Sequence, residues 1–152
     1  MPLFLDFLIT MFNPSRQDAR QFYFSTWRKH QEKQPLVGAE FIALDIMLAH
    51  PEYHDLLNQA ERYADQDYPP ELGTTNPFLH LSMHLAIQEQ LSIDQPAGVN
   101  AYYQKLLVQH QDEMHTQHEM MDCLAEMIWQ AQRHQTAFDP AIYFDCLARK
   151  TS

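Results

Sequence analysis

Thr75-Asn76-Pro77-Phe78-Leu79-His80-Leu81-Ser82-Met83-His84-Leu85-Ala86-Ile87 sets two imidazoles four positions apart within an apolar run. Helix positions i and i+4 lie one above the other on one face, so both rings point the same way, into surroundings rich in Leu, Met and Ile. Asn76 suits an N-cap. Pro77 suits the first turn, where the N–H that proline lacks has no intrahelical partner. The pattern predicts a helix to about Ser92, stopped by Gln95-Pro96-Ala97-Gly98. At roughly 100° per residue, His80, His84, Ile87, Gln88 and Leu91 share a face. Ser82 and Glu89 project elsewhere, which removes Glu89 as a ligand beside the two histidines.

Working outward, the same reading predicts helices on both sides. One starts near Asn13-Pro14-Ser15, with Ser15 and Asp18 as a capping-box-like start, and carries Ala19, Phe22, Tyr23 and Trp27 at helical spacing. Arg28-Lys29-His30 falls in its last turn, where cations oppose the helix dipole. Ala39 to Ala49 reads as a second helix, and Pro51 opens a short third one through Leu57. Gln59 to Thr75, with Asp65, Asp67, Pro69, Pro70 and Gly73, reads as an irregular connector. Beyond the central helix, Val99 to Gln109, Asp112 to Arg133 and Phe138 to Arg149 are predicted helices, the last started near Asp139-Pro140. Whether the first two of these form one long bent helix stays open.

Three glycines in 152 residues leave few tight turns, and Val and Ile are scarce, so strands have little to be made from. The expected fold is all-α, a compact helical bundle of about five to seven helices. Residues 11–152 are expected to form one domain, with residues 1–10 as an apolar N-terminal extension that makes a poor signal peptide. The formal charge of −10 and the lack of a basic stripe argue against nucleic acid and against an anionic membrane surface. A basic protein partner or a second copy of the chain stays open. Two cysteines do not make a disulfide framework, and reduced thiols in a cytoplasm are the expectation.

The second histidine-rich stretch, His115-Thr116-Gln117-His118-Glu119, is followed by Asp122, Cys123 and Glu126. On its helix Met120, Leu124, Met127, Ile128 and Ala131 form the apolar side. His115, Glu119, Asp122 and Glu126 form a polar stripe, and His118 stands at the border between them. Imidazole with carboxylate suits a divalent transition metal such as Zn, Fe, Mn or Ni, and a Cys123 ligand would favour zinc. The candidate metal set is therefore His80, His84 and His118, completed by Asp122 or, second, Glu126. The rival reading is a metal-free structural or protein-interaction module with hydrogen-bonded core histidines and a solvated acidic stripe. His50-Pro51-Glu52-Tyr53-His54 repeats the four-residue histidine spacing, but Pro51 intervenes, and a helix end with a surface histidine is the expectation there. No phosphate-binding glycine loop, serine nucleophile elbow or CxxC occurs. No catalytic residue is assigned.

Met11-Phe12-Asn13-Pro14-Ser15-Arg16, Thr26-Trp27-Arg28-Lys29, His50-Pro51-Glu52-Tyr53-His54 and the central Asn76 to Ile87 motif resemble the bacterial family described as domain of unknown function 1841. The likeness continues through Glu89 to Gln95-Pro96, Gly98, His118, Cys123-Leu124, Glu126-Met127, Trp129 and Ala131-Gln132-Arg133, and covers roughly Met11 to Arg149. It implies a small soluble bacterial protein and carries no activity and no catalytic residue. A looser likeness to hemerythrin and other bundle metalloproteins extends to the fold alone. The paired Glu-x-x-His motifs of ferritin-like centres are missing, and Asp112-x-x-His115 comes nearest to one.

Overall fold

The computed structural model describes residues 16–65 and 76–152, with side chains from residue 19 onward. The expected N-terminal extension, the helix start at Asn13-Pro14-Ser15 and residues 66–75 of the connector lie outside the described residues. The described residues form α-helices and one 3-10 turn, with no strand, so the fold is all-α. The helices are α1 (Arg16–Gln31), α2 (Ala39–Leu48), α3 (His54–Leu57), α4 (Ala60–Tyr63), α5 (Pro77–Ile93), α6 (Val99–His110), α7 (Glu113–His134) and α8 (Pro140–Thr151), with the 3-10 turn at Pro51–Tyr53. The eight helices among the described residues exceed the expected five to seven because α3 and α4 are single turns. The chain divides into two compact units, Met1–Ala86 and Ile87–Ser152.

In the first unit α1 packs on α2. The aromatic spacing read from the sequence is the reason: Tyr23 and Trp27 are buried on the face of α1 that also buries Ala19 and Phe24. Phe24 meets Phe78 of α5 edge-on, 5.4 Å between ring centroids. Tyr23 and Ser82 hydrogen-bond through their hydroxyls, and burial pushes the Tyr23 phenol well above its ordinary range. The Lys29 ammonium donates to both Glu40 oxygens at 3.1 and 2.9 Å, and the Val37 N–H donates to the same carboxylate at 2.8 Å. These bonds hold the Glu40 carboxyl below its ordinary value against the opposing effect of burial.

The connector expected to be irregular contains α4, and Arg20 supplies a reason. This wholly buried arginine donates from Nη1 to the carbonyls of Tyr63 and Ala64, both at 3.1 Å, and so satisfies carbonyls that the end of a short helix leaves over. Its guanidinium also lies 4.6 Å from the Phe78 ring centroid.

In the second unit α6, α7 and α8 pack pairwise on one another. Leu106, Met120, Leu124, Tyr143 and Leu147 are completely buried there. The Tyr143 hydroxyl donates to Gln90 Oε1 at 2.8 Å and ties the last turns of α5 to α8. α6 and α7 are separate helices. Gln111 takes the left-handed conformation with φ 55°, and Asp112 then caps α7 by accepting the His115 N–H at 2.7 Å. Asp139 caps α8 in the same way, accepting the Ala141 N–H at 3.0 Å.

The expectation of reduced thiols is corrected. Cys123 on α7 and Cys146 on α8 are joined as a disulfide, with Cα atoms 5.4 Å apart. Both residues are buried on facing sides of two packed helices, which places their Cα atoms within bridging range. Cys123 is therefore no thiolate ligand, and the cytoplasmic expectation loses the support it drew from free thiols.

Candidate metal centre

Three histidines come together in the first unit. His80 and His84 stand on consecutive turns of α5, as the i, i+4 spacing requires. The helix start that sets their phase is capped by Asn76, whose Oδ1 accepts the N–H groups of Phe78 at 3.0 Å and Leu79 at 3.2 Å. The third member is His50, just past the end of α2, where Pro51 turns the chain into the 3-10 turn.

His50 is buried, with 2% of its surface exposed, and His84 is completely buried; His80 is half-buried. The sequence reading of His50 as a surface histidine at a helix end is thus corrected. Pro51 does not turn the ring away, because the ring is anchored from the helix side: His50 Nδ1 lies 2.7 Å from the Ile46 carbonyl oxygen. A carbonyl only accepts, so Nδ1 carries the proton and Nε2 presents a lone pair. Such a bond from the far ring nitrogen sets the tautomer and aim of a metal-binding imidazole.

The three rings form a nearly equilateral triangle. Their centroids are 4.9 Å (His50–His80), 4.8 Å (His50–His84) and 4.9 Å (His80–His84) apart, with planes inclined at 74°, 60° and 72°. One ring nitrogen from each lies within 4.8 Å of the others. His50 Nε2 and His80 Nε2 are 3.1 Å apart. Two imidazole nitrogens on one tetrahedral zinc, each with a bond of about 2.0–2.1 Å, stand roughly 3.3 Å apart. The observed pair is already close to that separation.

Tyr53 closes one side. Its ring stacks on His50 at 5.6 Å and 2° and meets His80 nearly edge-on at 5.9 Å. Burial, and then the nearby Glu52 charge, raise the Tyr53 phenol above its ordinary value. His54 does other work: its Nε2 donates to the Met47 carbonyl at 2.8 Å, and its ring packs on Trp27 at 4.6 Å.

The remaining residues expected in the set lie on α7, in the second unit. His118 is half-buried there, while Met120, Leu124, Met127, Ile128 and Ala131 are buried on the apolar side. Asp122 is exposed and pairs with Lys150 at 3.2 Å; Glu126 pairs with Arg149 at 3.3 Å. His80 and His84 are thus brought together as the spacing predicts, with His50 as the partner the sequence reading missed. The signal for it was the His-Pro-Glu-Tyr-His stretch itself: a proline directly after a helix end commits the preceding histidine to that end.

The family described as "Domain of unknown function (DUF1841)" matches the chain over residues 15–149, and the protein belongs to it. No curated protein and no solved structure matches the chain. Among the described residues, no helix is long and apolar enough to cross a membrane.

Proposed function

We propose that the protein binds a divalent transition metal through His50, His80 and His84. The observation that carries this reading is the triangle of rings, with the His50 tautomer set by the Ile46 carbonyl so that Nε2 can face the His80 imidazole, 3.1 Å away. An all-imidazole donor set suits Zn, Fe, Ni or Cu better than Mn, which prefers oxygen. Three protein donors leave a fourth position for water or another ligand. From the sequence reading we keep His118 as the proposed fourth donor. Asp122 and Glu126 rank behind it, because each already has a cationic partner.

Elemental analysis of untagged protein, with the melting temperature measured before and after chelation, tests the proposal. About one equivalent of metal per chain is expected, lost in His50→Ala, His80→Ala and His84→Ala. His118→Ala tests the fourth donor separately: unchanged metal content there leaves a three-histidine centre. A second reading rests on the 3.1 Å His50–His80 contact, which also fits an imidazole–imidazole hydrogen bond in a metal-free core. Metal-free protein whose melting ignores chelator would select that reading and end the first.

A further inference from the structure

We propose a second divalent-metal site at the corner between α6 and α7, formed by His110, His115 and Glu119. It shares no residue with the three-histidine centre and does not depend on it. One ligand atom from each of the three lies within 4.8 Å of the others. The two imidazole rings are close and tilted, 4.4 Å between centroids and 35° between planes. His110 Nε2 is 3.9 Å from Glu119 Oε1.

Each donor sits on a regular element. His110 ends α6, and His115 and Glu119 stand one turn apart on α7. The corner between them is set by the left-handed Gln111 and by the Asp112 cap, which accepts the backbone N–H of His115 itself. The position of the His115 backbone is therefore tied to the turn that brings His110 alongside. Lys150 orients the carboxylate: its Nζ is 3.5 Å from Glu119 Oε2, which leaves Oε1 on the imidazole side. Two imidazoles and one carboxylate oxygen are the donor set of a borderline cation such as Zn(II). Drawing donors from within 4.8 Å to the roughly 3.3 Å of a shared tetrahedral ion asks only for side-chain rotation. His115 is exposed, so water completes the coordination and the ion exchanges with solvent. The chain's charge of −10 raises the local concentration of cations.

The test is calorimetric titration of metal-stripped full-length protein with zinc chloride, run on the wild type and on His115→Ala, Glu119→Gln and His84→Ala. Near about pH 7.5, His115→Ala and Glu119→Gln are each expected to lose one zinc equivalent, or to bind it more than about tenfold more weakly, at unchanged melting temperature of the metal-free protein. Wild-type stoichiometry and affinity in both variants would overturn the proposal and leave His110–Glu119 as a simple ion pair. The His84→Ala arm keeps the two sites apart. If it matches the wild type while His115→Ala loses an equivalent, the three-histidine centre fails and this one stands; the reverse result removes this one alone.

Discussion

The His50–His80–His84 triangle and the His110–His115–Glu119 corner use similar donors in opposite surroundings. His84 is completely buried and His50 nearly so, whereas His115 is exposed. In the triangle the His50 ring is aimed by a hydrogen bond from its own Nδ1 to the Ile46 carbonyl; at the corner it is the backbone of His115 that is aimed, through the Asp112 cap. Water satisfies an exposed imidazole without help. A buried one must find a hydrogen bond or a metal, since an unmet polar group costs roughly 1–3 kcal/mol. Metal in the triangle should therefore contribute more to folding than metal at the exposed, weakly held corner.

The largest expected effect follows from that contrast. A structural metal contributes on the order of 10 kcal/mol to folding, so chelation should lower the melting temperature of the wild type strongly. His84→Ala should melt low with or without chelator, while His115→Ala should keep the wild-type response. Thermal melts of the three proteins with and without chelator read this directly. An equal chelator response in His84→Ala and the wild type would break the comparison, because stability would then not run through the triangle.

The next effect belongs to the second unit. Cys123 and Cys146 close a loop with a sequence separation of 23, and such a crosslink restricts the unfolded chain by about 3 kcal/mol. Reductant, or the pair Cys123→Ala and Cys146→Ala, should lower the melting temperature by that order while leaving metal content unchanged. Metal loss on reduction, measured by elemental analysis after desalting, would show that the two regions are not independent in the way their surroundings suggest.

Much of this was legible in the chain, and the exceptions have physical reasons. Asn76, Asp112 and Asp139 announced their helices because a cap acts over two or three residues. His80 and His84 were readable because helical periodicity alone puts them on one face. His50 was readable only in part: the proline after it ties it to the end of α2, but its approach to α5 depends on how that end meets another helix. The disulfide was hidden for the same reason, since spacing along the chain does not show that α7 and α8 face each other at Cys123 and Cys146. Arg20 is the sharpest case. A buried arginine runs against composition rules, and the partners that explain it, the carbonyls of Tyr63 and Ala64 and the Phe78 ring, lie far along the chain.

A smaller effect compares the two halves of α5. Tyr23 holds Ser82 in the first unit and Tyr143 holds Gln90 in the second, each through a buried phenol. Tyr23→Phe and Tyr143→Phe leave a buried hydroxyl or amide oxygen without that partner, and each should cost about 1–3 kcal/mol in denaturant melts. Similar losses would mean that α5 is fixed equally at both ends. A loss confined to Tyr23→Phe would place the firmer hold beside the histidine triangle.

The smallest effect tests the acidic stripe of α7. Asp122 and Glu126 were expected among the metal ligands, and both are engaged with cations at the surface, Lys150 at 3.2 Å and Arg149 at 3.3 Å. Exposed pairs of this kind contribute roughly 0–1 kcal/mol, because solvent screens the charges and two long side chains must be held still. Asp122→Asn and Glu126→Gln should therefore change stability by no more than about 1 kcal/mol and leave the metal content of the triangle intact. Glu119 is the informative control, because it shares Lys150 with Asp122 yet faces His110 through its other oxygen. If Asp122→Asn depleted the tightly held metal while Glu119→Gln left zinc binding untouched, the division between a buried imidazole centre and an exposed mixed-donor corner would have to be redrawn, with carboxylate chemistry moved to the buried site.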